Sequence, residues 1–153
     1  PASLRQQIKL LFVGSGALQQ QLELAALNAK QHYQVESFFP GFINQSALVN
    51  WYLAADVVVL PSRQAGETWG LVANEALQAG CGVVVSEAVG CAADFGSWER
   101  FRTIPVGSAE GLAYALQDLA TYPRHFNWAS AALAEYSIEA AAQALASAID
   151  ELR

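Results

Sequence analysis

Two glutamates stand eight positions apart in the stretch "GETWGLVANEALQAG", Glu67 in its opening loop and Glu75 in the helix that the loop feeds. An ionised carboxylate only accepts hydrogen bonds, and the hydroxyl groups of a sugar are natural donors to it. A helix starting near Trp69 puts Leu71, Val72, Ala76 and Ala79 on one face at about 100° per residue, with Glu75 projecting between Leu71 and Ala79. A carboxylate on a face turned toward protein is costly unless it is paired or hydrogen-bonded. Glu67 precedes the helix N-terminus, where the free N–H groups around Trp69, Gly70 and Leu71 suit a phosphate. One short segment therefore offers grips for a sugar, a diphosphate and a ribose. The structural alternative is that Glu67 complements the helix dipole while Glu75 is partly solvated.

A second candidate is Gly14-Ser15-Gly16, between an apolar run and a helical stretch. Such a turn allows an anionic ligand to approach a helix N-terminus. The third glycine of a dinucleotide fingerprint is replaced by Gln19, and no P-loop lysine follows. A turn that merely needs φ > 0 explains the pair equally well. His32 and His125 have no companion at ligand or triad spacing, and Arg63, the cation nearest the motif, reads as a solvated loop residue. Cys81 and Cys91 fit no zinc pattern and read as small buried hydrophobes in a reducing, cytoplasmic setting.

The elements that position these residues follow from periodicity. Runs at 8–13, 33–39, 56–60, 82–86 and 100–106 read as strands, the third and fourth continuous enough for a buried parallel sheet. Helical patterns lie between them at 17–30, 46–55 and 109–120, and alanine-rich helix fills the rest. Asn44 or Ser46, Ser108 and Ser137 are the expected N-caps, and Trp51 is expected on the buried face of its helix. The alternation argues an α/β fold, a Rossmann-like parallel sheet with helices on both faces, as a single domain over 1–153. Ligands of such sheets bind at the carboxyl ends of the strands, where 14–16, 40–43, 61–70 and 87–94 should gather. The net charge of −6, with eight scattered Lys and Arg, argues against nucleic acid. No apolar run reaches the ~18 residues of a membrane span. The chain begins at Pro1 and contains no methionine, so a piece of a larger protein is expected.

The wording of 66–95, "GETWGLVANEALQAGCGVVVSEAVGCAADF", resembles the donor-binding motif of group 1 (family 4) glycosyltransferases, GT-B enzymes with two Rossmann-like domains. Glu67 and Glu75 have the motif's spacing, with Trp69, Gly70, Leu71, Ala76, Gly80, Val83 and Val84 in register. "LLFVGSGALQQQLE" and "FFPGFINQSALVNWYLAADVVVLPS" upstream, and "YSIEAAAQALASAIDEL" downstream, are similar to the family's second domain in the same order.

The resemblance implies a nucleoside-diphosphate sugar as substrate, retention of anomeric configuration, and neither cofactor nor metal. It implies Glu67 at the donor sugar as the catalytic carboxylate and Glu75 at the ribose. Backbone around Thr68, Trp69, Gly70 and Leu71 would meet the sugar and diphosphate. Gly41, Phe42 and Ile43 would line the base, and Gly14 and Gly16 would keep the cleft floor open. Gly82 departs from the family's usual proline, and Asp94 from its usual glutamate. The arginine and lysine that clamp the diphosphate, and the acceptor domain with its histidine, have no counterpart here. An inactive fragment is therefore the expectation, with the N-terminal acceptor domain as its missing partner. Polysaccharide biosynthesis and peripheral membrane association of the larger protein follow from the same resemblance.

Two other readings remain open. A nicotinamide-binding module is suggested by Glu36, twenty residues after Gly16, and opposed by Gln19. A non-catalytic interaction module of the same fold is opposed by the retention of both glutamates.

Overall fold

The computed structural model describes residues 7–63 and 68–151. The chain divides into two compact units, Pro1–Leu48 and Val49–Arg153.

In the first unit the apolar run "KLLFV" forms β1 (Lys9–Val13), followed by α1 (Gln19–Tyr33) and β2 (Glu36–Gly41). The strands pair in parallel, from Lys9 opposite Glu36 to Val13 opposite Gly41, with a register break between Leu11 and Val13. Phe12 stacks on Phe39 with ring centroids 4.8 Å apart. Helix α1 stops at Gln34, which takes a left-handed φ of 59° and returns its N–H to the Lys30 carbonyl. Because α1 runs to Tyr33, β2 opens three residues later than the sequence predicts. It also continues through Pro40 and Gly41, where the sequence predicts closure. Proline lacks an N–H for the ladder but keeps its carbonyl and an extended φ, so it interrupts pairing without ending the strand.

The boundary between the units falls inside α2 (Gln45–Ala54). Asn44 supplies its cap: the Asn44 side-chain oxygen accepts from the Ala47 amide at 3.0 Å and from the Ser46 hydroxyl at 2.8 Å.

The second unit carries β3 (Val57–Leu60), α3 (Leu71–Gln78), β4 (Gly82–Ser86), α4 (Ala92–Phe95), β5 (Phe101–Ile104) and α5 (Ala109–Leu119). Then follow α6 (Ser130–Leu133), a 3-10 turn (Ala134–Tyr136) and α7 (Ile138–Glu151). Its three strands are parallel in the order β3-β4-β5. Every residue of β4 is buried, as a central strand covered on both faces requires. Val83 and Val85 point into a core with Ala73, Ala76 and Leu77 of α3, plus Phe95 and Phe101. Val84 points the other way, to Ile104 and to Ala115 and Leu119 of α5. The side-chain alternation of β4 thus holds one helix against each face, the α/β arrangement predicted. Each fully buried valine or leucine contributes about 1.5–3 kcal/mol.

The other predicted caps also form. The Ser108 hydroxyl accepts from the Gly111 amide at 2.9 Å, and that of Ser137 from the Ala140 amide at 3.1 Å. Among the described residues, no helix is long and apolar enough to cross a membrane.

Candidate functional site

In the first unit, the turns after β1 and β2 are tied by one hydrogen bond, from the Gly14 amide to the Gly41 carbonyl at 2.9 Å. Gly14 (φ 120°) and Gly41 (φ 77°) both adopt backbone conformations that side chains disfavour. A Cβ at Gly14, Gly16 or Gly41 would meet no described atom within 4 Å, so the space around these turns is open. Phe42 stands exposed beside them and Ile43 is half-buried. Glu36 lies at the opposite end of the strand pair, in register with Lys9. An acidic residue that reads a dinucleotide ribose belongs beside the glycine turn. The nicotinamide reading loses its main support.

In the second unit, the loops that follow β3 and β4 are joined at the carboxyl end of the sheet. The Ser86 hydroxyl donates to the Ser62 carbonyl at 2.6 Å. The Gly90 amide donates to the Thr68 carbonyl at 3.2 Å, and the Cys91 amide to the Trp69 carbonyl at 2.8 Å. The predicted gathering of the 61–70 and 87–94 loops is therefore present among the described residues. Glu67, the predicted catalytic carboxylate, lies outside the described residues.

Helix α3 differs from the sequence prediction in two respects. It begins at Leu71 rather than Trp69, because Gly70 turns at a φ of 94° with Val89 filling the space beside it. Its buried face is Ala73, Ala76 and Leu77, whereas Leu71 and Val72 are exposed. Small alanines let the helix approach Val83 and Val85 closely, so packing on β4 sets the face. Trp69, freed from the helix, enters an aromatic cluster: its ring meets Phe95 edge-on at 5.4 Å and Tyr136 at 6.3 Å. Trp98 packs on Phe95 at 4.5 Å, and Trp128 donates to the Cys81 carbonyl. The motif tryptophan thus anchors the loop through its ring.

Glu75 is half-buried, and its Oε2 accepts from the Tyr52 hydroxyl at 2.8 Å. This partner resolves the cost of placing a carboxylate there, and local sequence gives no sign of it because Tyr52 is 23 positions away. Tyr52 is itself held at the end of α2. Its carbonyl accepts from the Cys81 thiol at 3.1 Å and from Arg124 at 3.4 Å. Arg124 also donates to the Ala55 carbonyl at 2.6 Å, a cation on helix-terminal carbonyls.

Burial pushes the Cys81 thiol above its ordinary 9.0, and burial followed by the Glu75 hydrogen bond raises the Tyr52 phenol above its ordinary 10.0. Both groups hold their protons more tightly folded than unfolded. Their contribution to stability is complete below the ordinary values and is lost as pH climbs through the raised ones. The urea midpoint should therefore fall from pH about 8 to about 10.5, and less steeply in Cys81→Ala. Cys81 and Cys91, both fully buried, should resist a thiol reagent until denaturant is added.

Residues 1–140 match the profile of the family described as "Glycosyl transferases group 1". Over 86 residues the chain is 41% identical to an uncharacterized glycosyltransferase of Methanocaldococcus jannaschii, covering 56% of this chain and 21% of that one. In three dimensions it is similar to sucrose-phosphate synthase from Thermosynechococcus elongatus, with a TM-score of 0.71 and 28% identity, over 99% of this chain and 41% of that chain. The chain thus spans less than half the length of either relative, and its fold is that of a GT-B glycosyltransferase's Rossmann-like domain. By the match over 1–140, with the Glu67–Glu75 segment inside it, the chain belongs to the group 1 glycosyltransferases.

Proposed function

We propose that this chain binds the nucleoside-diphosphate sugar of a glycosyltransferase that transfers the sugar with retention. The observation that carries the proposal is Glu75, a charged acceptor held by Tyr52 on the helix that opens from the Thr68–Gly70 loop. In this reading Glu75 accepts from the ribose hydroxyls and Glu67 from hydroxyls of the donor sugar. Amides of Trp69 to Leu71 face the diphosphate. During transfer the bond between the anomeric carbon and the diphosphate oxygen breaks, and the diphosphate leaves with the electron pair. The acceptor oxygen forms the new glycosidic bond and gives up its proton to the departing diphosphate oxygen. Fixed amide dipoles aimed at the leaving diphosphate stabilise the charge as it develops. The larger protein would supply the acceptor site.

The test is ligand-observed NMR with UDP, GDP, ADP and NADH, which detects binding as weak as ~1 mM, or ~4 kcal/mol. One nucleoside diphosphate should bind, and Glu75→Ala should weaken it at least tenfold, about 1.4 kcal/mol. Binding of NADH alone, or nucleotide binding indifferent to Glu75, would refute the assignment.

A further inference from the structure

Beyond the motif itself, one side chain governs how the Glu75 carboxylate is presented. We infer that Tyr52 is a positioning residue that fixes the Glu75 carboxylate for a ribose diol, so that ribonucleotide is preferred over its 2′-deoxy analogue. The inference rests on the donor-binding proposal and assigns a role that the motif does not contain.

The geometry is specific. A glutamate has three side-chain torsions, and freezing them only when ligand arrives lowers affinity. The Tyr52 phenol removes much of that freedom beforehand by donating to Oε2 at 2.8 Å. A carboxylate offers about four acceptor sites on its two oxygens, so one phenol leaves capacity for two ribose hydroxyls. The bond is charge-assisted and hence among the stronger kinds.

The phenol is also fixed from behind. The Tyr52 carbonyl is held by the Cys81 thiol and Arg124, and its ring packs against the core that contains Ala76 and Leu77 of the same helix as Glu75. A tyrosine held at backbone and ring gives its hydroxyl one place to point. Its raised proton affinity keeps it a donor throughout the neutral range.

A merely structural tyrosine would affect all ligands alike; a positioning one acts through the ribose. Dissociation constants are therefore measured for the wild-type chain, Tyr52→Phe, Glu75→Ala and the double variant, using UDP, GDP and ADP and their 2′-deoxy forms. Urea midpoints confirm that each variant is folded. Tyr52→Phe keeps the ring and should weaken the ribonucleotide about five- to tenfold, because the phenol preorganises the carboxylate without touching the ribose itself. It should leave the 2′-deoxy form within about twofold and add nothing further in the Glu75→Ala background. Equal weakening of both forms, or an unchanged preference for ribose, overturns the positioning role. Absence of any nucleoside-diphosphate binding by the wild-type chain overturns the underlying proposal and the inference with it. A Glu75-dependent wild-type affinity that ignores Tyr52 overturns the inference alone.

Discussion

Gly90→Ala should separate the two loops of the second unit and weaken nucleotide binding sharply while leaving the sheet folded. A Cβ at this position would sit 2.4 Å from the Thr68 carbonyl oxygen and 3.1 Å from the Trp69 Cα. Both obstacles are backbone, so no rotamer change relieves them. The chain must move apart where the Gly90 amide meets Thr68 and the Cys91 amide meets Trp69. Each lost hydrogen bond costs about 0.5–1.5 kcal/mol, and overpacking costs about 1–3 kcal/mol. Parting the loops relieves part of the overpacking, so the two costs do not add in full. A total of about 2–4 kcal/mol is expected, with the urea m-value unchanged because the exposed surface stays the same. Trp69 packs beside Phe95 and Tyr136, so its fluorescence should report the displacement directly. Nucleotide affinity should fall by more than tenfold, since the amides proposed to face the diphosphate move with the loop. Gly16→Ala supplies the contrast: its Cβ would meet no described atom within 4 Å, and stability should change little. Wild-type stability and affinity in Gly90→Ala would mean that the loops adjust freely and that their pairing is incidental.

The parts of this architecture visible in the sequence are those governed by local chemistry. β4 is Gly82–Ser86 as its continuous β-branched run predicts, because a strand buried on both faces needs no alternation. Ser108 and Ser137 cap the helices they precede because a cap is decided within three residues. The face of α3 was not visible in this way. Eight residues make barely two turns, too few for the apolar Leu71 and Val72 to be told from a core stripe. Which side packs was decided by Val83 and Val85, residues outside the helix. The Tyr52–Glu75 hydrogen bond and the Arg124 contacts to Ala55 and Tyr52 join segments with no local signature of pairing. The glutamate spacing, by contrast, marked the segment at once, because a carboxylate among apolar neighbours requires a partner. The sequence could say that Glu75 needed one but not which.

The largest loss of stability should come from Gly80→Ala. Gly80 ends α3 at a φ of 77°, with its amide bonded to the Leu77 carbonyl, and the next amide, Cys81, bonded to Ala76. That left-handed turn aims the chain from α3 directly into β4. A side chain here carries two separate costs. The left-handed conformation itself disfavours a Cβ by roughly 1–2 kcal/mol. The Cβ would also lie 2.4 Å from the Phe126 Cα and 2.6 Å from its carbonyl oxygen, again backbone against backbone. Phe126 has little freedom to retreat, because its ring lies 4.5 Å from the Arg124 guanidinium that holds the end of α2. Pushing it away strains the contacts on Ala55 and Tyr52 as well. A loss of about 3–5 kcal/mol is expected, lowering the melting temperature by roughly 10 °C or more. Gly107→Ala separates the two costs, since Gly107 has a similar φ of 74° but open space around it. It should lose only the conformational part, about 1 kcal/mol. Equal effects at the two glycines would show that Phe126 yields and that backbone conformation alone sets the cost. A much larger effect at Gly80 makes its contact with Phe126 the constraint that locks α3 to β4, and with them the carboxylate of Glu75.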